Sequence, residues 1–264
     1  MPTVRPAGLP VLAFSLLASL CCSNSLSAIN YLGDRGGGCV TLNAGGTHVI
    51  TMTNGTTVGS TLLAIGMASA GAAATGTPVQ DSRANSWVLA HTYTSSNGTR
   101  LFIYESMIAP GKNHFAGDTV TLSFSAATGQ KSCTILSNWE GLVNPSSVDR
   151  MNGASGNNAA PTVSTNGATV QANEVLIAAF GFVAPTGGFT YAFPFNPLSG
   201  ACDAPHCMFP GYYLLNATGG YSATPTTVNA TNWGGLLVTL KGDNTIFADG
   251  FANSTTSNWS VTVP

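Results

Sequence analysis

The segment Ser86-Trp-Val-Leu-Ala-His-Thr-Tyr-Thr-Ser-Ser-Asn-Gly-Thr-Arg-Leu-Phe-Ile-Tyr-Glu105 decides the fold class of this 264-residue chain. Residues 86–93 and 100–105 are rich in β-branched and aromatic side chains and alternate apolar with polar positions, which is typical of half-buried strands. Asn97-Gly98 between them supplies the positive φ angles that a type I′ turn needs. The segment therefore predicts a β-hairpin.

Strands of two kinds follow along the rest of the chain. Residues 48–52 and 119–124 alternate like the hairpin, whereas residues 62–66, 175–180 and 235–240 are continuous apolar runs. Continuous runs are expected where a strand is covered on both faces. Since no segment of the mature chain shows a convincing helical period with caps, we predict an all-β, two-sheet antiparallel sandwich, jelly-roll-like, in a single domain.

One polar stretch, residues 141–172, separates two blocks of strands at residues 39–140 and 174–240. It is rich in Asn, Ser, Thr, Gly and Ala and nearly free of aromatic residues. We interpret it as a long connection that crosses one sandwich, with two separate domains as the alternative. The sandwich domain is expected over residues 29–241, followed by a tail at residues 242–264.

The composition excludes several classes of protein. Hydrophobic residues make up 44% of the chain and charged residues 7%, which is unlike a chain disordered by its charge. Lys and Arg number 8 against 10 Asp and Glu, so the basic surface that nucleic acid requires is missing. No apolar run reaches the length of a membrane-spanning helix, about 18 residues. We expect no nucleic-acid partner and no transmembrane segment after signal cleavage.

The first 28 residues are expected to form a secretory signal peptide. Arg5 supplies the positive start, residues 9–20 form a short apolar run, and small residues at 25–28 offer a cleavage site after Ala28. A lipoprotein leader ending at Cys21 is the alternative. Either form predicts export and a secreted or cell-surface location.

Four cysteines remain in the mature chain: Cys39, Cys133, Cys202 and Cys207. An oxidising compartment favours pairing them. The short spacing from Cys202 to Cys207 favours a local bridge, which leaves Cys39 to pair with Cys133. A metal site built from Cys202, His206 and Cys207 is the alternative, although a fourth ligand is not apparent.

Glu105 and Glu140 are the candidate carboxylates for a glycosidase, which needs two such groups about 5 to 10 Å apart. Glu105 follows Phe102 and Tyr104 on a register that we expect to face solvent, and Glu140 ends a strand. Solvated positions explain both, so no catalytic pair is expected.

Other reactive groups form no recognisable site. The chain has no Gly-x-Ser-x-Gly elbow, and His48, His91 and His114 form no ligand pattern. We therefore expect no catalytic residue, no metal and no other cofactor.

An aromatic segment, residues 189–213, is the candidate binding surface. Rigid rings on a loop stiffened by a disulfide offer a large apolar area to a ligand at low entropic cost. The alternative is that the rings plug one end of the sandwich. The residues expected to contact a cell-surface glycan or another surface protein are Phe193, Phe195, Phe209, Tyr212 and Tyr213.

Several strand motifs carry a resemblance to a known family: Gly59-Ser-Thr-Leu-Leu-Ala-Ile65, Trp87, Gly98-Thr-Arg-Leu-Phe-Ile-Tyr104, Thr119-Val-Thr-Leu-Ser-Phe124, Asn138-Trp-Glu-Gly141, Asn173-Glu-Val-Leu-Ile-Ala178 and Trp233-Gly-Gly-Leu-Leu-Val-Thr-Leu240. Together they resemble a bacterial extracellular jelly-roll module of secreted, cell-surface and phage-tail-associated proteins, mostly without an assigned activity. The resemblance covers about residues 40–241 and implies a fold and a surface location.

The C-terminus carries a second resemblance. Ile246-Phe-Ala-Asp-Gly-Phe251 followed by Trp259-Ser260 is similar to a Phe-x-Asp-Gly-Phe-Glu-Ser-Gly and Trp-Ser tail of secreted gammaproteobacterial proteins, although Ala252-Asn253 stands where Glu-Ser is usual. The resemblance implies an export or surface-attachment signal, and a loose apolar end or an edge strand is the alternative.

Three functions stay open at this point. The first is a secreted or cell-surface structural or adhesive protein without catalytic activity. A carbohydrate-binding module that uses the aromatic segment is the alternative, and a glycoside hydrolase is the second alternative. All three depend more on the fold than on a site.

Overall fold

The computed structural model describes residues 28–43, 46–69, 73–125, 129–143, 147–184 and 186–243, and within them every regular element is a strand. The predicted signal peptide up to residue 27 and the tail from residue 244 lie outside the described residues. The strands are β1 Asn30–Thr41, β2 Thr47–Thr51, β3 Thr61–Ala68, β4 Ala73–Asp81, β5 Val88–Thr94, β6 Arg100–Met107, β7 Thr119–Ser125, β8 Lys131–Glu140, β9 Val148–Asn158, β10 Val163–Ser164, β11 Asn173–Phe182, β12 Phe189–Thr190, β13 Asn196–Pro197, β14 Ala201–Asp203, β15 His206–Asn216, β16 Ser222–Ala223, β17 Thr226–Thr227 and β18 Thr231–Lys241.

The predicted hairpin is confirmed, because β5 and β6 pair antiparallel. Its turn differs from the type I′ turn that Asn97-Gly98 predicts. The Gly98 amide donates to the Ser95 carbonyl at 2.9 Å and the Ser95 amide donates to the Thr99 carbonyl at 2.8 Å. Gly98, at φ 80°, is the turn's left-handed residue. A type I′ turn needs two such residues, so the loop is a longer turn that ends on glycine.

Two facing sheets form the predicted antiparallel sandwich. One has the order β1-β8-β3-β6-β5 and the other the order β2-β7-β4. The chain passes back and forth between them from β1 to β8, except that β5 and β6 lie in the same sheet, and β8 returns beside β1. This is the winding of a jelly roll. Leu62, Phe102 and Leu136 of the first sheet pack there against Val120 and Leu122 of the second.

A third sheet covers the other face of the five-stranded sheet. Its order is β13-β15-β11-β18-β9, with β14 beside β15. Ile65, Ile103 and Ile135 pack against Ile177 and Val238 across this second interface. The apolar runs in β3, β11 and β18 are therefore covered on both faces, as their sequence predicts. The shared core joins the two blocks of strands into one sandwich.

The prediction of one long connection over residues 141–172 is wrong for its central part, because Val148–Asn158 forms the edge strand β9 beside β18. Glycines there leave room for aromatic rings. A Cβ on Gly153 would lie 2.1 Å from the Tyr93 ring, and one on Gly156 would lie 2.9 Å from the Trp233 ring. Because rings from neighbouring strands pack on its glycines, β9 lacks the alternating apolar side chains by which a strand is recognised in a sequence.

Replacing Gly153 with alanine is expected to lower the free energy of unfolding by roughly 1–3 kcal/mol, the usual cost of overpacking. The added methyl group would overlap the Cβ and Cγ atoms of Tyr93, which the ring cannot clear by rotating. Gly167→Ala is the control, since its Cβ would meet only the Arg150 side chain at an ordinary 3.7 Å. Chemical denaturation of the two variants makes the comparison, and equal stabilities would contradict this account of β9.

Two disulfides join residues that lie directly opposite each other on neighbouring strands. Cys39 of β1 pairs with Cys133 of β8, and Cys202 of β14 pairs with Cys207 of β15. The Cα atoms are 4.0 and 4.1 Å apart. These are the pairs that the cysteine spacing predicts.

An outer layer covers the face of the six-stranded sheet that points away from the jelly roll. It contains the two-strand ribbons β10-β16 and β12-β17 together with most of the aromatic segment. Phe180, Phe182 and Trp233 of the sheet form the floor on which this layer packs.

Candidate functional site

The aromatic segment lies flat against the six-stranded sheet. Phe189 stacks on Phe209 with ring centroids 4.5 Å apart and planes 9° from parallel. Both rings rest on Phe182, at centroid distances of 5.8 and 6.0 Å. Such contacts stabilise a fixed arrangement of rings. The layer is therefore a packed aromatic surface that is partly open to solvent.

The five predicted contact residues fall into three environments. Phe195, Phe209 and Tyr213 are half-buried in the outer layer. Phe193 projects into solvent and is 97% exposed. Tyr212 points the other way, into the core between the large sheets, where its ring lies 5.0 Å from Trp139.

The separation of Tyr212 from Tyr213 follows from strand geometry, because successive side chains of β15 point to opposite faces of the sheet. The Tyr212 ring also lies 5.3 Å from that of Tyr31 in β1. Replacing Tyr212 would thus remove core packing and not a ligand contact. Tyr213, in contrast, lies 6.0 Å from Phe195 in the outer layer.

A pocket of about 210 Å³ opens within the outer layer. Its lining residues are Phe189, Thr190, Tyr191, Pro197, Leu198, Phe209 and Pro210. Three of these residues lie in or next to two-residue strands: Thr190, Pro197 and Leu198. Strands this short show no alternation of apolar and polar residues, so the sequence does not reveal them. The predicted aromatic segment, residues 189–213, contains all seven lining residues, but the sequence does not single out Thr190 and Leu198 within it.

The Tyr191 side chain lines the pocket, and its hydroxyl points into the sheet. That oxygen lies 3.0 Å from the Phe209 carbonyl oxygen and 3.2 Å from that of Ala178. Burial raises the pKa of Tyr191 well above its ordinary value, so the hydroxyl stays neutral. Because the Tyr191 hydroxyl is hydrogen-bonded within the sheet, it does not face the pocket. The pocket wall therefore suits the apolar face of a ligand.

The tip beside the pocket is a tight turn. The Phe195 amide donates to the Ala192 carbonyl at 3.1 Å, and the Tyr191 and Phe195 rings stack 5.4 Å apart at the two ends of the turn. Phe193 is therefore presented from a loop closed at its base by a ring stack.

The most exposed large apolar side chains of the described residues lie in the outer layer. Among the large hydrophobic side chains of the described residues, the three most exposed are Phe193 at 97%, Val228 at 74% and Val170 at 60%. Val228 follows β17 and Val170 follows β10, so all three belong to segments of this layer. Large exposed apolar side chains on one face are a feature of binding surfaces.

Glu105 corrects a sequence prediction, because it does not face solvent. Its side chain, 4% exposed, accepts hydrogen bonds from the Ser147 hydroxyl at 2.5 Å and the Ser147 amide at 3.3 Å. Burial raises its pKa, and the Ser147 hydrogen bonds offset part of that change. The side chains of β6 alternate between its two faces as predicted. The face that carries Glu105, expected to meet solvent, is covered by the third sheet. Glu140 is exposed at the end of β8, so the two carboxylates do not line a common open cleft.

Two histidines lie inside the jelly roll. His48 Nδ1 is 3.1 Å from Ser132 Oγ, and burial lowers the pKa of His48 to about 4. His114 lies between Thr56 Oγ1, 3.1 Å from its Nδ1, and Asp81 Oδ1, 3.4 Å from its Nε2. Over the described part of the chain, no group of three His, Cys, Asp or Glu side chains is placed to hold a metal ion.

Three neighbouring side chains, Thr56, His114 and Asp81, form a row of the residue types that serve as a nucleophile, a base and an orienting acid. Thr56 is buried, however, and its hydroxyl oxygen already accepts the backbone amide of His114 at 2.9 Å. The row therefore holds two loops of the jelly roll together and offers no open nucleophile.

The chain matches no protein-family model, no curated protein and no solved structure. Within the described ranges, none of the elements is a helix with the length and hydropathy needed to cross a bilayer.

Proposed function

We propose that this protein is an exported, non-catalytic adhesive module of the bacterial cell surface or its surroundings, and that it binds a glycan with the outer layer. The observation that carries the proposal is Phe193, an almost fully exposed ring held on a closed turn beside an apolar pocket. The two disulfides are compatible with an extracellular location.

A sugar ring is the ligand whose chemistry suits this surface. One face of a pyranose is apolar and can lie on Phe193 or against the Tyr191 and Phe209 rings, while its hydroxyl groups stay in solvent. The Phe189 and Phe209 stack is preformed, so little conformational entropy is lost on binding. A surface protein that inserts an apolar side chain into the same pocket is the competing partner.

Phe193→Ala is expected to weaken glycan binding by about tenfold or more, as at a contact hot spot. Stability should be unchanged, since the ring is in solvent. Phe115→Ala is the matched control, because Phe115 is the other exposed phenylalanine of the described residues and lies between β6 and β7. The measurements are binding to an immobilised panel of bacterial oligosaccharides, followed by calorimetry, and thermal melting.

Three results would oppose the proposal. They are equal binding by the two phenylalanine variants, binding that the Phe193 variant retains in full, and no oligosaccharide retained by the wild-type chain. The last would leave a protein partner as the ligand of the outer layer.

A further inference from the structure

Part of the outer layer is a flap held over one end of the six-stranded sheet. The flap consists of residues 163–171 and 217–223, and includes the β10-β16 ribbon. Its two halves are tied by the Thr165 amide to the Tyr221 carbonyl at 2.8 Å and by the Thr169 amide to the Gly219 carbonyl at 2.9 Å. These bonds make it a unit that can move as one piece.

Most of the described polar contacts that hold the flap down come from β9, and Gln171 adds two others, because its Nε2 donates to the Asn173 carbonyl at 2.7 Å and to the Gly242 carbonyl at 3.0 Å. Asp149 Oδ2 accepts the Val170 amide at 2.8 Å. Arg150 Nε donates to the Ala168 carbonyl at 2.6 Å, and Asn152 Nδ2 donates to the Ser164 carbonyl at 2.8 Å. The buried apolar residues of the flap are small, Val163 and Ala223. The flap is therefore held by polar contacts, most of them to the edge strand β9, together with the packing of Val163, Ala223 and Tyr221 on the sheet.

Beneath the flap lies Glu174 at the start of β11, with no exposed surface. The Asp149 side chain of β9 is a neighbour of the Glu174 carboxyl group. Thr239 of the intervening strand β18 is a second neighbour, and its hydroxyl oxygen accepts the Arg150 amide at 3.0 Å. Neither carboxylate oxygen of Glu174 has a well-aligned hydrogen-bond partner among the described residues. Two buried carboxyl groups side by side cannot both ionise without a large cost.

We propose that the flap is a pH-dependent latch, closed over Glu174 and Asp149 when the two carboxyl groups share a proton and released when both are ionised. Release lets the Glu174 carboxylate reach water, and the proton passes to solvent. Opening breaks the hydrogen bond from the Val170 amide to Asp149 Oδ2, so this amide reports the state of the flap.

The charged and titratable groups around the pair support this arrangement. The Arg150 guanidinium lies 3.6 Å from Asp149 Oδ1, on the side of the pair formed by β9. Tyr221 faces the pair from the flap, and burial raises its pKa above the ordinary value. The Tyr213 ring of β15 lies 6.1 Å from that of Tyr221. Lys241 pairs with Glu174 in the β18 register, yet its charge acts on Glu105.

Burial raises the pKa of Glu174 to about 7, and the neighbouring Asp149 charge adds to the effect. The Thr239 hydroxyl and the Gln171 backbone amide act in the opposite direction. A carboxyl group whose pKa is higher in the closed than in the open state favours closure at low pH. That preference is lost as the pH rises from about 4.5 through about 7.

Amide hydrogen exchange of the full mature chain at pH 5.5 and pH 8.0, corrected for the intrinsic exchange rate, tests the latch. We expect protection of the Val170 amide, which donates to Asp149 of β9, to fall roughly tenfold or more at pH 8.0, whereas the Thr165 and Thr169 amides, bonded within the flap, should change less. Protection at Ile177 in the core should not change. Glu174→Gln should keep the flap amides protected at pH 8.0, whereas Glu140→Gln, at an exposed carboxylate, should behave as wild type.

Protection that does not depend on pH, or that is lost equally in the Glu174→Gln variant, would overturn the proposal. A second measurement needs no variant. Carbon-13 titration of the Glu174 carboxyl in the wild-type chain should give a midpoint near 7, and a midpoint below 5 would refute the shared proton.

Discussion

Replacing Asp81 with alanine is expected to lower the free energy of unfolding by about 3–5 kcal/mol, because it leaves the buried partners of a carboxylate unpaired. The Asp81 and His114 side chains have no exposed surface. Asp81 Oδ1 accepts the Arg83 amide at 2.8 Å and the Asn85 amide at 3.2 Å, and Oδ2 accepts the Trp87 indole N–H at 2.8 Å. One carboxylate thus organises the loop between β4 and β5 and anchors it to His114.

This contribution should depend on pH in a defined direction. Burial alone would raise the pKa of Asp81, but hydrogen bonds from His114, Asn85, Trp87 and Arg83 outweigh it and hold the pKa below its ordinary value. The stabilisation is therefore complete above the unfolded-state pKa of about 3.9 and is lost as the pH falls below it. We expect the difference between wild type and Asp81→Ala to shrink as the pH falls below 4.

Asp203→Ala is the matched control for Asp81. Asp203 forms an ion pair with Lys131, but its side chain is 43% exposed. Surface ion pairs contribute only about 0–1 kcal/mol. Urea denaturation at pH 7 measures how much each variant lowers the free energy of unfolding relative to wild type. If the two losses were similar, the Asp81 cluster would not be the organising centre of the loop.

Removing the Cys39–Cys133 disulfide by a double alanine substitution is expected to cost about 4–5 kcal/mol. The bridge spans a sequence separation of 94 residues, and the chain-entropy model assigns the larger stabilisation to the longer loop. The Cys202–Cys207 bridge closes a separation of 5 residues, for which the same model predicts about 2 kcal/mol. The difference between the two double variants is the quantity to measure.

Guanidinium denaturation without reductant measures both double variants, after mass mapping of unreduced peptides has established the pairs in the wild-type chain. Both sites tolerate alanine sterically, since it is smaller than cysteine. Equal losses, or a larger loss at Cys202 and Cys207, would contradict the entropic account and point to packing around the bridges instead.

Local pattern predicted much of this fold. The alternation in residues 86–105 predicted the hairpin, and the continuous apolar run at residues 175–180 predicted a strand covered on both faces. These predictions succeed because strand period and the hydrophobicity of neighbouring residues are properties of a short segment. The edge strand β9 was not predicted, because its glycines pack against the rings of Tyr93 and Trp233, which are distant in sequence.

The candidate site was predictable in part. A high density of aromatic residues in residues 189–213 pointed to a ring-bearing surface, and the structure places a pocket there. Which ring faces outward was not predictable, because Tyr212 and Tyr213 are adjacent and identical in type. Their roles depend on which face of β15 meets the jelly roll and which meets the outer layer.

By itself the sequence determined that the protein is built of antiparallel strands, that its longest apolar runs lie at the centre, and which cysteines are joined. Only the tertiary structure decided that Glu105 and Glu174 are buried and that Phe193 stands in solvent. The physical reason is that alternation assigns side chains to two faces of a strand. Whether a face meets water or another sheet depends on segments far away in the chain.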